Sequence, residues 1–306
     1  MTIKLPTDAK TFPTLTLWEK VLNATPIVMT VIATMLAGLA SSEMTKAQYD
    51  RAFAAQKQSK AGDQWGFFQA KRMRSAIQSG TLDVLENSTT GKSLDAAGLR
   101  GFAATLPDAA PVRSALDLLL AGRLPLTAAA PAPDPKVQAV LAAIDQGRAD
   151  ADLDPLLTAA TPALVDAALL AAQEHSRNFD ARLGPVVKYG DRFGDALDPT
   201  GPAPRGLIHD FTVLRLRYSS LRYDAEARLN QTIASLYEVQ VRQNNLTAER
   251  HHLRSQRFFF GMLAAQAAVI IATFAMAARQ RSLLWSLAAA AGLGALSFAA
   301  YVFLFI

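Results

Sequence analysis

Residues 258–278 read FFFGMLAAQAAVIIATFAMAA, and 283–306 read LLWSLAAAAGLGALSFAAYVFLFI; only Arg279-Gln280-Arg281-Ser282 separates them. Each run is long enough to cross a hydrocarbon core of about 30 Å at about 1.5 Å per residue. So short a turn makes the pair a hairpin. Working outward, a third apolar run, 26–40, lies near the start of the chain. Nothing between Glu43 and Gln256 matches these runs in length and apolarity. The layout predicts a membrane protein with one large polar insert.

The bulk numbers agree. The 306 residues are 51% hydrophobic, and the mean hydropathy is +0.14. That is high for a water-soluble chain and low for a polytopic transporter. The absence of cysteine excludes disulfides and thiolate chemistry. The net charge of +5 hides a segregation. Residues 1–79 and 206–306 each carry ten Lys/Arg against five Asp/Glu, whereas 80–205 carries eleven against sixteen. Basic flanks beside apolar runs serve anionic headgroups and topology. No alternation of aromatic and basic residues accompanies the charge, so no nucleic acid is expected as a partner.

The first run is the weakest of the three. Its wider window, 21–40, contains Asn23 and Pro26, a proline tolerated in the first turn of a helix. Trp18 precedes it at a depth suited to the headgroup zone. Residues 14–23 form a candidate surface helix with Leu15, Trp18 and Leu22 on one face. A cleaved leader ending at Gly38-Leu39-Ala40 is the alternative to an anchor, although it would be long for one. Eight basic residues near the runs lie on the side of the insert and five on the other. The tally favours a cytoplasmic insert, while the two arginines in the tight hairpin argue the other way.

Two stalk helices are expected. Residues 42–78 lack proline and are rich in helix formers, with Ser79-Gly80 as the stop. Residues 207–257 make a second helix of about 75 Å. Phe211, Leu214, Tyr218, Leu221 and Ala225 follow a 3-4 spacing, and Leu229, Ile233 and Leu236 continue it after a shift of one. Such a stripe needs a cover, and the first stalk helix, running antiparallel, is the nearest. Lys71-Arg72-Met73-Arg74 and Arg222 with Arg228 fall at one height, about 48 Å from the membrane. This basic band is either a solvated face or a contact for the acidic middle segment or an acidic partner.

The run Ala61-Gly62-Asp63-Gln64-Trp65-Gly66-Phe67-Phe68-Gln69-Ala70-Lys71 resembles a signature of the bacterial domain of unknown function 4337 family. The later elements are similar too: His251 or His252 before Arg257-Phe258, Gln266 in the next run, then Arg279-Gln280-Arg281 and Leu284-Trp285. The resemblance covers about 20–79 and 215–306. It implies an N-terminal span, a charged coiled coil and a closing membrane hairpin, and it implies no chemistry. Within the signature, Asp63 and Lys71 share a helix face, and Trp65 and Gln69 are neighbours one turn apart. Asp63, Gln64, Trp65, Gln69 and Lys71 are expected to form a packing layer with paired polar atoms; a ligand or ion site is the alternative.

The middle, 80–205, is rich in Ala, Leu, Asp and Pro. Helices are expected at 94–106, 112–121, 136–146 and 162–183, the last capped by Thr161 with Pro162 in its first turn. Residues 127–135 (TAAAPAPDP) read as a stiff linker. Residues 112–123 and 137–148 align at a period of 25, pairing Val112 with Val137, Leu116 with Leu141, Gly122 with Gly147 and Arg123 with Arg148.

Catalytic and metal motifs fail on inspection. Gly91-Lys92-Ser93 lacks the earlier glycine and the leading strand of a phosphate loop. Asp150-Ala151-Asp152-Leu153-Asp154 opens like a calcium loop, but Pro155 and Thr161 stand where glycine and glutamate are needed, so a solvated loop is expected. His175, His209, His251 and His252 lack ligand spacing. His251, His252, Arg254, Arg257, Arg279, Arg281, Trp18 and Trp285 are expected at the membrane interface. Small residues recur at Gly261/Ala265, Ala264/Ala268, Ala268/Ala272, Ala291/Ala295 and Ala295/Ala299, a spacing that lets helices approach in lipid. Gln266 is the one strongly polar group deep in the hairpin and is expected to bond across helices, in the same or a neighbouring chain.

The expected fold is an all-α membrane protein. Residues 1–40 form an interfacial helix and first transmembrane helix, 41–79 a first stalk helix, and 80–205 an inserted helical module. Residues 206–257 form the second stalk helix, giving an antiparallel coiled coil, and 258–306 the transmembrane hairpin. The expected role is a non-enzymatic, homo-oligomeric scaffold of the bacterial inner membrane, with no cofactor and no metal. Its expected partners are the bilayer, further copies of the chain through the stalk and transmembrane helices, and a protein docking at the acidic insert. A channel or conduit, and an accessory subunit of a larger complex, are the competing roles.

Overall fold

The computed structural model describes residues 17–88, 94–125, 132–197, 204–278 and 281–305. Their regular structure is all helix, with no strand among the described residues. The helices are α1 (Leu17–Ser88), α2 (Ala96–Ala104), α3 (Ala109–Ala121), α4 (Pro135–Asp145), α5 (Asp150–Ala159), α6 (Pro162–Ala196), α7 (Arg205–Ala277) and α8 (Arg281–Phe305). Three of them, α1, α7 and α8, are long and apolar enough to cross a membrane. The chain divides into two compact units, Met1–Ala52 with Asn245–Ile306, and Phe53–Asn244.

In the first unit, small residues put three helices side by side. On α7, Gly261, Ala265, Ala268, Ala272 and Ala275 recur every three or four residues and are all buried. On α8, Ala288, Gly292 and Ala295 do the same, and Val302 follows two turns later. A Cβ added at Gly261 would stand 3.2 Å from the Ala295 carbonyl oxygen, 3.2 Å from Leu36 and 3.3 Å from Phe298. All three helices therefore meet at one glycine, the close approach that small-residue spacing permits. Ala33, Leu36, Ala40 and Phe258 complete this core.

Pro26 lies well inside α1 rather than in a first turn, because the helix already starts at Leu17. The expected surface helix at 14–23 is thus, from Leu17 on, part of α1; Leu15 and the side chains of Trp18 and Leu22 lie outside the described residues. The helix is continuous through Gly38-Leu39-Ala40.

In the second unit, α1 does not stop at Ser79-Gly80 but continues to Ser88. Contacts with α7 carry it past the glycine: Ser79 shares a hydrogen bond with Ser220 (2.7 Å), and Arg217 binds Glu86 (2.6 Å). The helix α6 likewise runs through Gly184-Pro185 to Ala196, beyond the expected end at 183. Its buried stripe of Phe179, Leu183, Val186 and Phe193 spans the proline, so packing outweighs one lost backbone hydrogen bond. Residues 150–154 are the first turn of α5 and not a solvated loop, and Leu153 is buried.

Taken together, Ala151–Ala159 and Pro162–Ala196 also reach the length and apolarity of a span, bent by 81°. That corrects the expectation that nothing between Glu43 and Gln256 could. Their apolar residues Leu153, Leu157, Val165 and Leu169 are buried within the unit.

The period of 25 is structural. Both α3 and α4 end in left-handed glycines, Gly122 (φ 58°) and Gly147 (φ 66°). In both, the following arginine N–H reaches back to close the cap: Arg123 to Leu118 O (3.2 Å) and Arg148 to Ala143 O (3.1 Å). Val112 and Val137 are buried alike. The Thr161 side chain makes no capping hydrogen bond at α6.

Candidate functional site

The α7 stripe does not face α1. Phe211, Leu214 and Tyr218 are buried in one cluster with Leu99 and Ala103 of α2, Leu116 and Leu119 of α3, and Phe193 of α6. The inserted helices take the apolar face of α7, and Leu221 is left 40% exposed. Farther along, Gln240 donates to Asp166 (2.5 Å), Gln173 donates to Tyr237 (2.9 Å), and Gln243 donates to the carbonyls of Leu157 and Ala160.

What faces α1 is a comb of small residues. On α1, alanine recurs every seventh residue at Ala33, Ala40, Ala47, Ala54 and Ala61, and all five are buried. On α7, Ala227, Ala234, Val241, Ala248 and Ser255 repeat the spacing and are buried too. In the second unit, Ser75 Oγ donates to the Ser220 carbonyl (3.0 Å). That register, taken back two heptads, sets Ala61 opposite Ala234. In the first unit, Ser255 Oγ donates to the Ala40 carbonyl (2.8 Å), which sets Ala47 opposite Ala248. Both sets of contacts pair rising with falling numbers, so the helices are antiparallel in each unit.

Charged and aromatic groups flank the comb. Trp65 Nε1 donates to Glu238 (2.7 Å). Lys71 binds Glu226 and stands 5.2 Å over the Tyr223 ring. Arg72 binds Asp224, which also accepts from Arg228 (2.5 Å). The basic band is therefore neutralised mainly by α7's own carboxylates. Burial pushes Asp224 up, but the hydrogen bonds from Arg228 and Arg72 prevail and hold its carboxyl below the ordinary value. From the insert, Asp180 of α6 joins this group, its carboxyl raised by burial and by Glu226. Burial pushes the Tyr218 hydroxyl up to about 12.

Nearer the apolar segments, His251 sits between two carboxylates, 2.6 Å from Glu43 and 3.9 Å from Asp50. Burial raises Glu43, and hydrogen bonds from Lys46 and His251 more than reverse it, so its carboxyl lies below the ordinary value. Among the described residues no cluster of His, Asp or Glu is placed to hold a metal ion.

Of the residues singled out in the sequence, Trp65 and Lys71 join α7 directly. Gln64 is half-buried, while Asp63 and Gln69 are exposed and stand outside any layer within this chain. His251 is bonded within the chain, and His252 contacts Gln256 (3.0 Å). Arg254 is half-buried, and Arg257 lies 5.5 Å over the Tyr301 ring. Trp285 donates to Thr25 (3.3 Å). Arg279 and the side chains of Trp18 and Arg281 lie outside the described residues, as do Gly91-Lys92-Ser93 and 127–131 of the linker. Gln266 is exposed and makes no hydrogen bond among the described residues.

One further face was not anticipated. On α1, Gly62, Gly66, Met73, Ile77, Gly80 and Val84 are all exposed and, at 100° per residue, fall within one narrow sector. No Asp, Glu, Lys or Arg enters the surrounding sector of about 120° between residues 55 and 87. Asp63 and Arg74 border it on one side, Arg72 and Asp83 on the other. A Cβ added at any of the three glycines would meet nothing within 4 Å.

Residues 19–101 match the model of a family described as Domain of unknown function (DUF4337), so the resemblance holds over the N-terminal part of the chain. No curated protein matches the chain. No solved structure matches it.

Proposed function

We propose that the protein is a non-enzymatic, self-associating membrane scaffold of the bacterial inner membrane. In this reading α1, α7 and α8 span the bilayer, and α1 and α7 continue as an antiparallel coiled coil. The insert packs on the outer face of α7, on the cytoplasmic side.

The observation that carries the reading is the uncharged outward face of α1. Exposed glycines inside a helix cost about 1 kcal/mol each relative to alanine. Here they serve no contact within the chain, while Met73, Ile77 and Val84 stay 59–69% exposed beside them. A face that is apolar, small and free of charge is what one helix offers another. The polar residues of the signature support the same reading, since Trp65 and Lys71 are engaged in holding α7.

The test is native mass measurement in lipid nanodiscs together with disulfide formation by Met73→Cys. The chain has no cysteine of its own, so any cross-link reports that position. Assemblies of two or more chains, cross-linked at residue 73, are expected. A stable monomer without the cross-link would overturn the proposal.

A further inference from the structure

The amide of Gln266 lies on the apolar part of α7, nine residues past Arg257. That places it about 14 Å along the helix, near the middle of a core of about 30 Å. It is exposed and has no hydrogen-bond partner among the described residues. A primary amide without a hydrogen bond is costly in hydrocarbon, because lipid supplies neither donor nor acceptor.

Beside it α1 and α7 leave a groove of about 450 Å³, lined by Thr30, Ala33, Thr34, Ala37, Gln266 and Ile270. The hydroxyl protons of Thr30 and Thr34 are already given to the carbonyls of Pro26 (2.8 Å) and Thr30 (2.9 Å). The groove therefore offers two hydroxyl oxygens as acceptors beside the amide of Gln266, which brings donors and an acceptor of its own. The exposed neighbours on this stretch of α7, Leu263, Ile270 and Phe274, are apolar. An acyl chain would fill the groove and leave the amide unsatisfied. A second copy would bring the matching group, since an amide carries two donors and an acceptor and is complementary to itself.

We propose that Gln266 is a self-association contact, its amide hydrogen-bonded to Gln266 of a second copy whose α7 lies along this groove. The inference rests on the scaffold reading and adds to it a contact within the bilayer.

The test uses Ile270→Cys, one turn from Gln266, in the full chain in native membranes, with Leu293→Cys on α8 as control. Leu293 is 66% exposed on a different helix. Disulfide-linked dimers are expected from Ile270→Cys and not from Leu293→Cys. Adding Gln266→Leu should reduce the dimer about tenfold, the effect of two lost interhelical hydrogen bonds in lipid. Leucine is compatible with lipid, so this variant removes the amide and leaves insertion intact. Equal cross-linking with Gln266→Leu, or none at residue 270 while Met73→Cys still cross-links, would overturn this contact and leave the scaffold standing. A monomer by both probes would overturn both.

Discussion

Replacing Gly62, Gly66 and Gly80 together by alanine should stabilise the single chain and weaken its self-association. Each glycine is in the interior of α1, and each is open on the side where a methyl group would appear. The folded chain meets no new contact, so the change acts through backbone entropy, about 1 kcal/mol per site. Three sites give about 3 kcal/mol, raising the folded-to-unfolded ratio more than a hundredfold. Where a second helix lies on this face, the same methyl groups hold the two backbones apart. Guanidinium unfolding in detergent, followed by far-ultraviolet circular dichroism at monomeric concentration, measures the first effect. Cross-linking through Met73→Cys in membranes measures the second. A loss of monomer stability would refute the claim that the glycines are free of contacts. A gain in stability with cross-linking unchanged would refute the claim that this face is an interface.

Other perturbations probe the remaining contacts. Glu226→Leu leaves Lys71 and Arg222 without their carboxylate and should cost about 1–3 kcal/mol in urea unfolding; adding Lys71→Met should recover part of it. Gly261→Val should cost about 1–3 kcal/mol of stability, read as a lower thermal midpoint in detergent, because its added carbons meet the Ala295 carbonyl and Phe298. Asp224 and Glu43 are held below their ordinary values of 3.8 and 4.5. Their stabilisation is therefore present above those values and is lost as the pH falls through the lower folded ones. Acid titration of stability should show this loss below about pH 4, and Glu43→Gln should remove its share of the slope. Alkaline absorbance titration should show one tyrosine still protonated until about pH 12, and Tyr218→Phe should abolish that step.

The apolar segments and long helices were legible because length and composition alone define them. The antiparallel partnership of α1 and α7 was expected on a ground that the structure overturns, since the stripe that called for a cover is taken by the inserted helices. Which face of α7 meets α1 was not. Phe211, Leu214 and Tyr218 dominate any reading weighted by hydrophobic size, and they belong to the insert. The true signal was alanine at every seventh position from Ala33 to Ala61, too small to weigh in such a reading. The continuation of α6 past Gly184-Pro185 was hidden because local stop signals were overridden by tertiary packing. Trp65 and Lys71 stood out in the sequence, but their partners Glu238 and Glu226 lie more than 150 residues away, and only the register of the pairing brings them together.

The alanine comb of the second unit is degenerate by shape. Slide α1 by seven residues, about 10.5 Å, and Ala54 would arrive where Ala61 had been. The methyl teeth do not oppose the slip. It is forbidden by polar pawls, Trp65 on Glu238 and Ser75 on Ser220, each of which fits at one setting only. Strip such pawls and the strut loses what tells one heptad from the next.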